Sequence, residues 1–208
     1  VTNNYGELLW QTTFVQINQV WIMKRLALVL PLALIAIACT PSQGGDTPMQ
    51  SDNYTYDVEE RLAELGIELG APTPPVANYV RTVRTGNLVF LSGHGPDKPE
   101  GGQVIGKVGS DLTLEEGQQA ARLTGISLLA SLKGEIGDLN KVKRIVKVLG
   151  MVNAEPDFAQ HPLVMNGFSD LMVEVFGDNG KHARSAVGMG SLPGNIPVEI
   201  EMIVEVTE

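Results

Sequence analysis

Ala183-Arg184-Ser185-Ala186-Val187-Gly188-Met189, then Leu192-Pro193-Gly194, then Val198-Glu199-Ile200-Glu201-Met202-Ile203-Val204-Glu205-Val206 is the stretch from which the fold can be worked out. In its last nine residues Val198, Ile200, Met202, Val204 and Val206 face one way, while Glu199, Glu201 and Glu205 face the other. That two-residue period belongs to a strand with one face in a core. Ala183–Met189 reads as another strand, and Pro193-Gly194 turns the chain between the two.

Working back from there, Val164, Phe168, Leu171, Met172 and Val175 recur at i, i+4, i+7, i+8 and i+11, which predicts a helix closed by Gly177. Val142–Val152 is β-branched and long enough for a central strand. An earlier helix starts at a capping box, Thr113 with Glu116, and shows Ala121, Gly125, Leu128, Leu129 and Leu132 on one face. Gly117, Ala121 and Gly125 make part of that face small enough to approach a sheet, and Gly134 and Gly137 end the helix. Upstream, Tyr79–Arg84 and Leu88–Leu91 read as strands around a Gly86-Asn87 turn, with Ser92-Gly93-His94-Gly95-Pro96 breaking the second. Gln103–Ile105 reads as a small strand, and Asp57 caps a short helix, Val58–Leu65. The expected order is β-β-β-α-β-α-β-β: an α+β, two-layer domain over 57–208, with a mixed sheet and two helices on one face.

Composition bounds the function. Hydrophobic residues make up 43% of the 208 and charged residues 19%, which excludes wholesale disorder. The net charge of −9 offers no electrostatic footprint for a phosphate backbone, so no nucleic-acid partner is expected. A single cysteine, Cys39, excludes internal disulfides and cysteine-based zinc sites, and His94, His161 and His182 show no metal-ligand spacing. No P-loop or dinucleotide fingerprint is present.

The amino-terminal part reads as an address. Met23-Lys24-Arg25 precedes the apolar run Leu26–Ala38, too short for the roughly 20 residues of a membrane span. Ala36-Ile37-Ala38 followed by Cys39 resembles a bacterial lipoprotein signal, although Ala36 stands where Leu is usual. The resemblance implies a signal peptide over 23–38, lipidation of Cys39 and a membrane attachment through it. Residues 1–22 read as sequence upstream of a start at Met23, and 39–56 as the lipidated Cys and a flexible tether. The expected location is the periplasmic face, as an outer-membrane lipoprotein.

Two blocks resemble the RidA family of reactive-intermediate deaminases, also called endoribonuclease L-PSP. One is Tyr79 through Gly86-Asn87 to Ser92-Gly93; the other is Ala183–Gly188, Leu192-Pro193 and Val198–Glu201, with Asn166 matching upstream. The resemblance implies a chorismate-mutase-like fold, a homotrimer with sites between subunits, and a small 2-imino or 2-oxo acid ligand. It implies hydrolysis of 2-imino acids and their enamine tautomers to 2-oxo acids and ammonia without a cofactor.

On those positions the chemistry is coherent. Arg184 offers a planar fork for the substrate carboxylate, and Glu199 is placed to orient a water or take its proton. Tyr79 is expected to close the pocket, with Ser92, Gly93, Asn166 and Ala186 as further substrate-binding positions. Three residues depart from the family pattern: His94 where Gln is common, Ala186 where many members have Cys, and His182 where Pro often stands. They keep open a second reading, a non-catalytic trimeric module that binds a small carboxylate or acts as a chaperone.

Overall fold

The computed structural model describes residues 53–207, and the expectations for residues 1–22, the signal peptide 23–38 and Cys39 lie outside them. Its elements are α1 (Val58–Glu64), β1 (Thr82–Thr85), β2 (Leu88–His94), α2 (Leu114–Ile136), β3 (Val142–Asn153), α3 (His161–Phe176), β4 (Ala183–Met189) and β5 (Val198–Val206). Five strands form one sheet in the order β1-β2-β5-β3-β4. β3 and β4 are parallel, as a crossover through α3 requires, and the remaining pairs are antiparallel. The two-layer α+β class is as expected; the third strand of the expected order is not formed. Gln103 makes only an isolated bridge to Asp97, because Gly101 and Gly102, both at positive φ, turn the chain back too tightly to extend a ladder.

The alternation of β5 places its five apolar side chains in the core, each 1% exposed or less. They meet Leu128, Leu129 and Leu132 of α2 and Phe168, Leu171 and Met172 of α3, all buried. Each such side chain contributes about 1.5–3 kcal/mol by leaving water. α2 starts at the expected capping box and ends at Gly137, whose φ of 79° suits glycine, while Gly134 stays inside the helix.

The small residues of α2 serve a different contact from the expected one. A Cβ on Gly125 would press on Leu171 and Phe168, and Gly117 faces Val164, so this stripe meets α3 rather than the sheet. Gly167 of α3 completes the approach, since a Cβ there would collide with the backbone carbonyl of Gln118. Packing also reaches back into the expected tether: Tyr54 is buried and its hydroxyl donates to Val142 O at 2.7 Å.

Candidate active site

Arg184 sits on β4, an edge strand paired only with β3. Its side chain lies on the helix side of the sheet. Nη1 donates to Asn166 Oδ1 at 3.2 Å and to Ser169 Oγ at 2.9 Å, and Nη2 donates to Pro162 O at 3.2 Å. All three acceptors come from α3, where Asn166 and Ser169 share one face at i, i+3. A guanidinium has five donors, so two remain, the Nε–H among them. Among the described residues no carboxylate pairs with Arg184; its charge is held entirely by neutral acceptors. Ala186 lies two residues on, on the same side and half-buried against the core. Gly188 follows, where a Cβ would run into the His161 ring.

Glu199 lies on the opposite face. Met151 pairs with Glu199 on one side and with Val187 on the other, so those three side chains share the face that carries no helix. Arg184 is three residues from Val187 and therefore points the other way. Beside Glu199, β2 bulges: Leu91 pairs with Met202 and His94 with Ile200, leaving Ser92 and Gly93 against one residue of β5. The bulge brings Gly93 under the Glu199 carboxylate, where a Cβ would collide with it. Burial, and secondarily the like charge of Glu201, raises the pKa of Glu199 above the ordinary 4.5.

Around Glu199 opens a cleft of about 440 Å³ lined by Tyr79, Arg81, Gly93, Gln103 and Pro193. Such a volume suits a small ligand. Tyr79 falls in the loop before β1 rather than within a strand; it is 42% exposed and lines the cleft. Sequence reasoning missed Arg81, which binds the carbonyls of Thr73 (2.8 Å), Gly93 (3.3 Å) and Pro74 (3.4 Å) and so fixes the proline-rich loop against the bulge. Nothing in the local pattern marks it, because its partners are backbone atoms distant in sequence. Ser92 goes elsewhere: its hydroxyl meets Arg81 O at 3.3 Å, and it lines a second cavity of about 330 Å³ with Val83, Phe90 and Glu201.

Within one chain, the structure thus groups Tyr79, Gly93 and Glu199 in one place and Arg184, Asn166 and Ala186 in another, with Ser92 apart. His94 is a buried structural residue, bonded to Ser92 O at 2.7 Å and Ser131 Oγ at 2.8 Å. Burial lowers its pKa below the ordinary 6.5. Among the described residues, no group of three or more His, Cys, Asp or Glu side chains converges to hold a metal ion.

A mixed sheet with two helices on one face, an arginine on the edge strand and a carboxylate over a glycine bulge define a two-layer α+β protein with two candidate binding places. Residues 59–205 match the family described as "YjgF/chorismate_mutase-like, putative endoribonuclease". The chain belongs to this YjgF/RidA family. It is 42% identical over 149 residues to Protein TCP17 of Trypanosoma cruzi, covering 71% of this chain and 93% of that protein. It is 32% identical over 131 residues to the 2-iminobutanoate/2-iminopropanoate deaminase of Dermatophagoides farinae, covering 62% and 87%. The crystal structure of Atu1372 from Agrobacterium tumefaciens, a protein of unknown function, superposes with a TM-score of 0.67 at 43% identity, covering 72% of this chain and 92% of that one.

Proposed function

We propose that this protein hydrolyses 2-imino acids and their enamine tautomers to 2-oxo acids and ammonia, in sites completed between copies of a homotrimer. The observation that carries the reading is the Arg184 guanidinium, a cation held by three neutral acceptors with two donors to spare. Such a charge, with no carboxylate partner among the described residues, leaves room for the carboxylate of a ligand. The name of the Dermatophagoides farinae relative supports the same substrate class.

Arg184 grips the carboxylate and fixes the plane of the adjoining C=N bond. Glu199 takes a proton from the attacking water as oxygen adds to the imine carbon. It returns that proton to the nitrogen of the tetrahedral carbinolamine and takes the hydroxyl proton as the C–N bond breaks; the departing ammonia carries that proton away, so iminium plus water gives a carbonyl plus ammonium. A carboxylate with a raised pKa suits this transient proton store. Tyr79 covers the cleft and excludes water other than the reacting one.

One chain carries Arg184 and Glu199 on opposite faces of its sheet, so a site using both takes them from two chains. The helix-free face supports assembly: Val83, Phe90, Val187 and Met189 are exposed there, and the outer edge of β4 meets no strand among the described residues. We also propose export and lipidation at Cys39. Intact-mass analysis of membrane-extracted protein tests this: a diacylglyceryl cysteine at the new amino terminus supports it, and an unmodified Cys39 contradicts it. The −9 charge weighs against a ribonuclease.

The activity test generates 2-iminopropanoate and 2-iminobutanoate in situ and traps them with semicarbazide. The full chain should suppress semicarbazone formation and Arg184→Ala should not. Binding of 2-oxo acids with no suppression by the wild type would transfer the assignment to a carboxylate-binding module.

A further inference from the structure

His182 stands where the family pattern often has proline, and its side chain ends at the arginine. Nδ1 lies 2.7 Å from Gly180 O, and Nε2 lies 3.1 Å from Ser169 Oγ, the oxygen that accepts the Arg184 Nη1–H at 2.9 Å. These partners fix the protons. A carbonyl only accepts, so Nδ1 carries the hydrogen and Nε2 of the neutral ring is a bare lone pair. The single Ser169 hydrogen is then drawn to Nε2, which turns an oxygen lone pair toward Arg184. Ser169 Oγ, both ring nitrogens of His182 and the Gly180 carbonyl are all partnered in this one arrangement. Phe168 packs edge-on against the imidazole, ring centroids 5.6 Å apart, and holds the ring plane.

We propose that Ser169 and the neutral Nδ1–H form of His182 are positioning residues that aim the Arg184 guanidinium at the substrate carboxylate. This rests on Arg184 as the carboxylate anchor. Asn166 and Pro162 O hold the other corners of the guanidinium, so Ser169 sets its remaining angle. A second proton on the imidazole places two donors on Ser169 Oγ, strips the hydroxyl hydrogen of its acceptor and sets a cation one hydroxyl away from Arg184. Burial, and then the charge of Arg184, hold the histidine pKa below 6.5. Of the other charges nearby, Asp178 in the preceding turn is bound to Lys181.

The test compares Ser169→Ala, His182→Phe and His182→Gln in the full chain with the Arg184→Ala variant. Ser169→Ala and His182→Phe are expected to raise KM on the order of tenfold while changing kcat less, since the first removes a charge-assisted hydrogen bond from the carboxylate anchor and the second frees the hydroxyl that makes it. His182→Gln, which keeps an acceptor without titrating, should restore KM and remove its rise on acidification. An unchanged KM in Ser169→Ala, with Arg184→Ala inactive, overturns the positioning role and leaves the deaminase reading intact. Full activity in Arg184→Ala overturns that reading itself. Nitrogen-15 NMR of the wild type gives a readout free of folding effects: Nδ1 protonated and Nε2 bare at neutral pH supports the proposal, and the Nε2–H tautomer contradicts it.

Discussion

The edge around Arg184 and the cleft around Glu199 solve opposite problems with opposite means. At the edge, a cation is over-determined: three neutral acceptors from one helix hold its end and leave two donors unused. In the cleft, a carboxylate is under-determined. It lies over a glycine, and burial, with the like charge of Glu201 second, raises its pKa. The first arrangement suits binding, in which geometry must be fixed beforehand; the second suits proton transfer, in which the group must change state. The contrast teaches that the proposed hydrolysis has neither half as a site alone, since the sheet puts the two residues on opposite faces.

The sharpest way to break the contrast is to remove the cation. Arg184→Ala should lower turnover by roughly a thousandfold, about 4 kcal/mol, because both the carboxylate anchor and its orientation go. Steady-state kinetics check this, and a loss under tenfold would mean the edge is not a binding half. Next comes the scaffold beneath it. Gly167→Ala forces a Cβ against the Gln118 carbonyl, which is backbone and unable to yield, so α2 and α3 must part. Chemical denaturation should show a loss of about 2–3 kcal/mol, as for other overpacked interiors.

In the cleft, Gly93→Ala should separate activity from stability. The colliding atom is the end of a flexible carboxylate, so the fold yields by moving Glu199. We expect roughly tenfold lower kcat, about 1.4 kcal/mol in the barrier, with a melting temperature close to wild type.

The smallest effects are those of pH. His94 and His182 both lie below the ordinary 6.5 in the folded chain. The unfolded chain therefore binds protons first as pH falls, and stability that is complete above about 6.5 declines as pH falls toward the folded values. Glu199 has the reverse sign: its contribution is present below 4.5 and is lost as pH rises through its raised value. Thermal melts across pH should show the acid-side decline, and Glu199→Gln should melt slightly higher than wild type at neutral pH while losing activity.

Much of this was legible in the chain because it is local or periodic. The alternation of Val198–Val206, the Thr113–Glu116 capping box and the Ala183–Met189 strand all appear where periodicity and capping chemistry place them. Tyr79 was misplaced into a strand because the proline-rich loop before it is held by Arg81 through backbone carbonyls, which leave no side-chain pattern. The Gly117, Ala121 and Gly125 stripe was legible as close packing but not as to partner, since a small face says nothing of what approaches it. The candidate site was legible as a set of residues through its resemblance to a family. Its division between two faces was not, because that follows from the register of β3 with both β4 and β5. Ser169 was hidden as one serine on a helix until His182 and Arg184 closed on it.

The central claim is that Arg184 and Glu199 act together from different chains, and complementation tests it most directly. Full-length Arg184→Ala and Glu199→Gln chains, each inactive alone, would be coexpressed under separate affinity tags and the doubly tagged assemblies isolated. If sites form between copies, every mixed trimer carries about one intact site in three, and imino-acid hydrolysis returns to roughly a third of the wild-type rate. No recovery in well-folded mixed assemblies would contradict the account and place the two residues in separate functions.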